Sequence, residues 1–146
     1  MPGTKSSRHI VEAVLASYLS SQTELAGVSF YTGDSADTNI LPKCIVLCDS
    51  ARLPTDLTQG LGNYSCSVRV TLFDSADDVT LTSHRARCAA IAGAMQDVDA
   101  IKASFIAEGD AHCYDVTPLT EDEGVNERSW ASAMAYDVLV VVNPEG

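Results

Sequence analysis

Tyr64–Phe73, YSCSVRVTLF, alternates apolar and polar residues without a break. Tyr64, Cys66, Val68, Val70 and Leu72 fall on one side, and Ser65, Ser67, Arg69 and Thr71 on the other. Successive side chains of a strand point to opposite faces, so a period of two predicts a half-buried β-strand. A strand of this kind needs an apolar layer against one face only. The neighbouring segments supply that layer.

Working outward, Asp74–Asp78 (DSADD) turns the chain, and Thr80–Gln96 follows with Leu81, His84, Cys88, Ile91 and Met95 at spacings of three and four. That spacing predicts a helix with one apolar stripe. Arg85 and Arg87 sit away from the stripe, and five alanines in the segment favour the helix and close packing. A short third helix is expected over Ala100–Ala107, capped by Asp99 and closed by Gly109. Upstream, Lys43–Cys48 (KCIVLC) is apolar on both faces and reads as a central strand. Val28–Thr32 is a shorter strand, and residues 49–62 form a long loop. Residues 6–22 carry Ile10, Val11, Val14, Leu15, Tyr18 and Leu19 at helical spacing after Ser6 or Ser7 as N-cap. Downstream, Ala111–Leu119 is a strand and Glu121–Glu127 (EDEGVNE) an acidic connection. Arg128–Val142 is a long final strand with Trp130, Met134, Tyr136, Val138, Val140 and Val142 on one face. The order predicts an α+β fold: a largely antiparallel sheet with an N-terminal and a central helix packed on it, in one domain over 1–146.

Charge narrows the function. The 146 residues carry 20 acidic against 9 basic side chains, a net charge of −11. Gripping nucleic acid or docking on anionic lipid draws on Lys and Arg, so both are disfavoured. No apolar run approaches the roughly 18 residues of a membrane span. Residues 1–9 are polar, and the first apolar stretch is broken by Glu12 and two serines, unlike a leader peptide. The odd number of cysteines, five (Cys44, Cys48, Cys66, Cys88 and Cys113), then fits free thiols in a reducing cytosol.

Reactive constellations are weak. Cys44 and Cys48, four apart on a strand, would lie roughly 13 Å from each other, beyond the reach of one zinc ion. His112 and Cys113 would point to opposite faces. Neither a metal nor a cofactor is expected. His84, on the apolar stripe, reads as a packed and hydrogen-bonded histidine, with no carboxylate at helical spacing beside it. Gly33-Asp34-Ser35 resembles the nucleophile block of the GDSL esterases, but the Asp-x-x-His element of that family is missing, since the last histidine is His112. A serine without a positioned base is only an exposed serine. The expectation is a chain without catalytic residues.

The layout as a whole resembles the phage tail-terminator (tail-completion) family. The resemblance lies in the opening amphipathic helix, in the strand Tyr64–Phe73 followed by an acidic turn and a helix with His84-Arg85-Ala86, and in a hairpin ending in Arg128-Ser129-Trp130. It closes with the valine-rich strand through Tyr136-Asp137-Val138. It implies a virion protein assembled in the host cytoplasm: a homo-oligomeric ring, hexameric in that family, at the head-proximal end of the tail. Such a ring ends tube growth and joins the tail tube protein to head-side connector proteins. A head-closure or neck adaptor of the same particle is the nearest alternative; a small ligand-binding module and a hydrolase built on Ser35 are the others.

Six chains at −11 make a strongly negative ring, past which DNA phosphates slide without specific binding. The acidic side chains expected to face that channel are Asp74, Asp77, Asp78, Glu121, Asp122 and Glu123. Contacts between subunits are expected from Leu53, Leu57, Leu61, Arg128 and Trp130, and from the last strand if it lies at a sheet edge.

Overall fold

The computed structural model describes residues 6–33, 41–52, 63–126 and 128–142. Helix α1 spans Ser7–Ser20, and a single 3-10 turn follows at Thr23–Leu25. Strands β1 (Ser29–Thr32), β2 (Lys43–Arg52) and β3 (Asn63–Ser75) come next. Helices α2 (Leu81–Gln96) and α3 (Val98–Glu108) lead into β4 (Ala111–Asn126) and β5 (Ser129–Val142). The strands form one sheet in the order β1-β2-β3-β5-β4. Only β1 and β2 run parallel; the other three pairings are antiparallel. The fold is α+β, as the order of helices and strands in the sequence predicts.

The helices cover one face of the sheet. Cys66, Val68, Val70 and Leu72 of β3 are buried together with Cys44, Val46 and Cys48 of β2 and Met134, Tyr136, Val138 and Val140 of β5. Onto them pack Ile10, Val11, Val14, Leu15 and Leu19 of α1, Ile91 and Met95 of α2, and Ile101 and Phe105 of α3. A fully buried aliphatic side chain of this kind contributes roughly 1.5–3 kcal/mol. The opposite face carries half-buried Ile45, Leu47, Thr71, Phe73, Ala133 and Ala135, with Arg69 and Leu139 exposed; among the described residues no helix covers it.

Helix ends follow local chemistry. Ser6 Oγ accepts the His9 N–H at the start of α1, and Thr80 Oγ1 accepts the Ser83 N–H at the start of α2. The cap of α3 is Asp97, not Asp99: the Asp97 side chain accepts the Ala100 N–H, and Asp99 falls in the first turn. Gly109 closes α3 with φ 92°, a left-handed conformation open to glycine at little cost.

Three further sequence expectations change. The acidic run at 121–126 is no connection but the distal half of β4, which pairs with β5 from Ala111 through Asn126. The last strand is not an edge: β5 lies between β3 and β4, and β4 is the edge. Strand β2 runs four residues beyond Cys48, with a bulge between Cys48 and Ser50. That bulge explains a buried charge. The Cys48 N–H bonds to Glu12 Oε2 at 2.8 Å, and Glu12 is only 9% exposed. The glutamate that interrupts the apolar face of α1 thus satisfies a strand donor.

Candidate functional site

Two polar groupings stand out, one sealed in the interior and one exposed at the same end of the sheet. The interior grouping begins with the period-two pattern of β3. Its inward positions, Cys66 to Leu72, continue in step to Asp74, which is fully buried. On β5 the inward positions include Ser132, 1% exposed, and the α2 stripe contributes His84, 0% exposed. Ser132 faces Leu72 across the ladder, one inward position from Asp74. His84 Nδ1 lies 2.7 Å from Asp74 Oδ2, and His84 Nε2 lies 2.8 Å from Ser132 Oγ. Arg87 Nη1 bonds to the other oxygen of Asp74, and Cys88 Sγ sits 3.6 Å from His84 Nε2.

An ionised Asp74 can only accept, so His84 Nδ1 donates to it; a neutral ring accepts the Ser132 hydroxyl at Nε2, and a charged ring donates to Ser132 Oγ. This is the connectivity of a hydroxyl nucleophile, a base and an orienting acid. Access is what it lacks. Three surface grooves, of about 560, 260 and 240 Å³, have none of Asp74, His84 or Ser132 in their walls. Ser132 Oγ is spent on a core histidine beneath the sheet. The arrangement fits a satisfied polar node that ties α2 to β3 and β5. Among the described residues no buried side-chain nitrogen or oxygen lacks a hydrogen-bond partner.

Asp74 therefore leaves the set of channel-facing acids, because its carboxylate points into the core and is engaged by His84 and Arg87. The sequence reading also missed the carboxylate beside His84. Asp74 lies ten residues upstream on another element, where helical spacing does not look. Continuing the β3 alternation by one step would have found it.

The remaining acids sit at the same end of the sheet, on the surface. Asp77 and Asp78 are exposed in the turn between β3 and α2. The Ala76 N–H bonds to the Arg128 carbonyl, and Arg128 Nη1 lies 3.6 Å from Asp77 Oδ2. Glu121, Asp122 and Glu123 are exposed on β4 but do not share a face. Register pairs Glu121 with Met134 and Glu123 with Ser132, both on the helix side, and Asp122 with Ala133 on the other. Arg85 grips Glu123 with two nitrogens, at 3.0 and 2.7 Å, and holds its carboxyl below the usual range.

Of the expected contact residues, Arg128 is 85% exposed at its side chain and remains available. Trp130 is half-buried, and its indole Nε1 donates to the Val79 carbonyl at 2.8 Å, so it braces the β3–α2 turn instead. Leu53, Leu57 and Leu61, like Ser35, lie outside the described residues.

Beyond Val116, β4 is exposed on both faces through Val125. This stretch of β4, the arm, pairs with β5, which β3 holds on its other side through Ser129, and its outer side has no further partner among the described strands. Among the described residues, three of the five large exposed apolar side chains lie on β4: Tyr114, Leu119 and Val125.

The five cysteines are all free and buried. Burial pushes the Cys44 thiol up to about 12 and the Cys113 thiol up to about 11. Cys66 is raised by its hydrogen bond to Cys48 and by burial. Cys113 is buried while its neighbour His112 is exposed, the opposite orientation expected of adjacent strand residues. Among the described residues no three His, Cys, Asp or Glu side chains converge to hold a metal ion.

No protein family and no curated protein matches this chain.

Proposed function

We propose that this chain is a structural subunit of a ring in a phage tail or neck, acting through protein contacts and without catalysis. The observation that carries the reading is the edge strand β4, exposed on both faces from Thr117 to Val125 and bearing the exposed apolar side chains Tyr114, Leu119 and Val125. Apolar side chains on an exposed edge strand suit contact with other protein surfaces. The sheet face without helices adds a second, different surface, and a closed ring needs two different patches on each subunit. The resemblance in layout to tail terminators names the kind of assembly. Asp77, Asp78, Glu121 and Asp122 remain the acids suited to repel DNA from a channel wall.

The experiment has two parts. Peptide mass spectrometry of purified phage particles from the source of the chain should recover it in stoichiometric amounts. Native mass spectrometry of the protein, alone and with a tail tube protein, should give a closed ring. Absence from the particle would overturn the reading, as would turnover of ester substrates that is lost in Ser132→Ala with the fold intact.

A further inference from the structure

The outer edge of β4, unpaired among the described strands, carries a more specific consequence, which rests on the arm being a contact element but not on the ring. At 16 residues, β4 is long for any strand and unusually so for an edge, where natural sheets keep strands short. Two irregularities interrupt its pairing with β5, between Cys113 and Asp115 and between Pro118 and Thr120. Pro118 has no N–H to offer a further strand. From Thr120 to Asn126, however, pairing with β5 is unbroken and contains no proline, so the other side of that stretch offers a regular row of donors and acceptors.

The charge on this stretch decides what kind of strand can join it. Glu121, Asp122 and Glu123 occupy three consecutive positions. A two-fold antiparallel pairing of the stretch with its own copy, centred on its acidic positions, sets carboxylate opposite carboxylate, which is unfavourable. Two chains at −11 add repulsion at longer range. Glu123 already has Arg85, whereas among the described residues Glu121 and Asp122 stand in no ion pair. They project to opposite sides of the arm, so a cationic side chain on either face of an added strand meets an acid. Val125 offers an apolar contact next to them.

We infer that Thr120–Asn126 binds an extended, basic segment of a different protein by strand addition. Main-chain hydrogen bonds supply the affinity, and the alternating acids select Lys or Arg.

The test uses the full chain and a labelled synthetic peptide that alternates Lys and Val over seven residues. Fluorescence anisotropy should show saturable binding that weakens with salt. Charge reversal at the exposed acids, Glu121→Lys with Asp122→Lys, should weaken it at least tenfold while circular dichroism stays unchanged. Methylation of alternate peptide nitrogens, which removes strand donors but no charge, should weaken it comparably. Hydrogen exchange should gain protection at residues 120–126. Equal binding of the methylated peptide would reduce the site to charge alone and overturn strand addition. Concentration-dependent self-association that protects 120–126 without peptide would overturn the heterologous partner. Failure of the chain to form rings would leave this inference standing, and failure of the peptide to bind would leave the ring standing.

Discussion

Asp74 and Asp122 are both carboxylates at the same end of one sheet, and they have opposite fates. Asp74 is sealed beneath α2, with His84 on one oxygen and Arg87 on the other. Asp122 stands in water on the edge strand. The first cannot be lost without leaving a buried base and a cation unmet; the second costs the fold little. Polar chemistry in the interior of this chain is satisfied within the fold, whereas on the arm Glu121 and Asp122 stand in no ion pair among the described residues. A serine–histidine–aspartate chain is therefore not a catalytic site by connectivity alone. Room for a substrate decides it.

The largest expected effect comes from opening the interior. His84→Ala takes a charge-assisted hydrogen bond worth about 1.5–3 kcal/mol from the Asp74 carboxylate, which keeps Arg87, and adds the cost of a cavity, so the loss should be at least about 2 kcal/mol. Urea unfolding should show that loss. A cost under about 1 kcal/mol would mean the node is not structural. Ser132→Ala removes one hydrogen bond and should cost about 1–3 kcal/mol.

A second interior charge tests the same contrast. Glu12→Ala strands the Cys48 N–H at the β2 bulge and should cost about 1–3 kcal/mol, whereas Glu12→Gln keeps an acceptor oxygen and should recover most of it. Equal losses in the two variants would show that the negative charge matters rather than the hydrogen bond.

Alkaline pH separates interior from surface without mutation. Cys44 and Cys113 rise from 9.0 to about 12 and about 11, and Tyr136 from 10.0 to about 12, each mainly through burial. Groups with raised folded values contribute stability that is complete below the unfolded values and is lost as pH climbs through the folded ones. The urea midpoint should hold steady up to pH 9 and fall between pH 9 and about 12. A steady midpoint across that window would show that these groups are not buried. Thiol titration at neutral pH should find the five cysteines slow in the folded chain and all reactive in urea.

The smallest effect on stability belongs to the arm. Leu119→Ser and Val125→Ser should each change the unfolding free energy by no more than about 0.5 kcal/mol. The same substitutions should impair assembly, read as loss of the ring in native mass spectrometry. Arg85→Ala removes an exposed ion pair, and its small effect should fade as salt is added.

Much of this contrast is legible in the sequence, and its limits have physical causes. The alternation of Tyr64–Phe73 and the three-and-four spacing from Leu81 to Met95 report which side chains meet the core. The fold class and most element positions follow from them. The inward registers also contain Asp74, Ser132 and His84, but three polar residues on three elements meet only through tertiary packing. Local spacing cannot announce that. The acidic run at 121–123 suggests a loop because edge strands exposed on both faces lose the apolar alternation that marks a strand. Asp97 and Asp99 both suit a helix cap, and the choice between them depends on where α2 stops. The bulge at Cys48 leaves no mark in composition; Glu12 on an apolar helix face is its only trace.

The division between a sealed interior and a working arm is tested most directly by hydrogen exchange on the chain, free and within an assembled particle. The account expects strong new protection over Thr117–Val125 on assembly, with the amides of Asp74, His84 and Ser132 protected equally in both states. An arm that exchanges as fast in the particle as in solution, together with opening around His84, would contradict it.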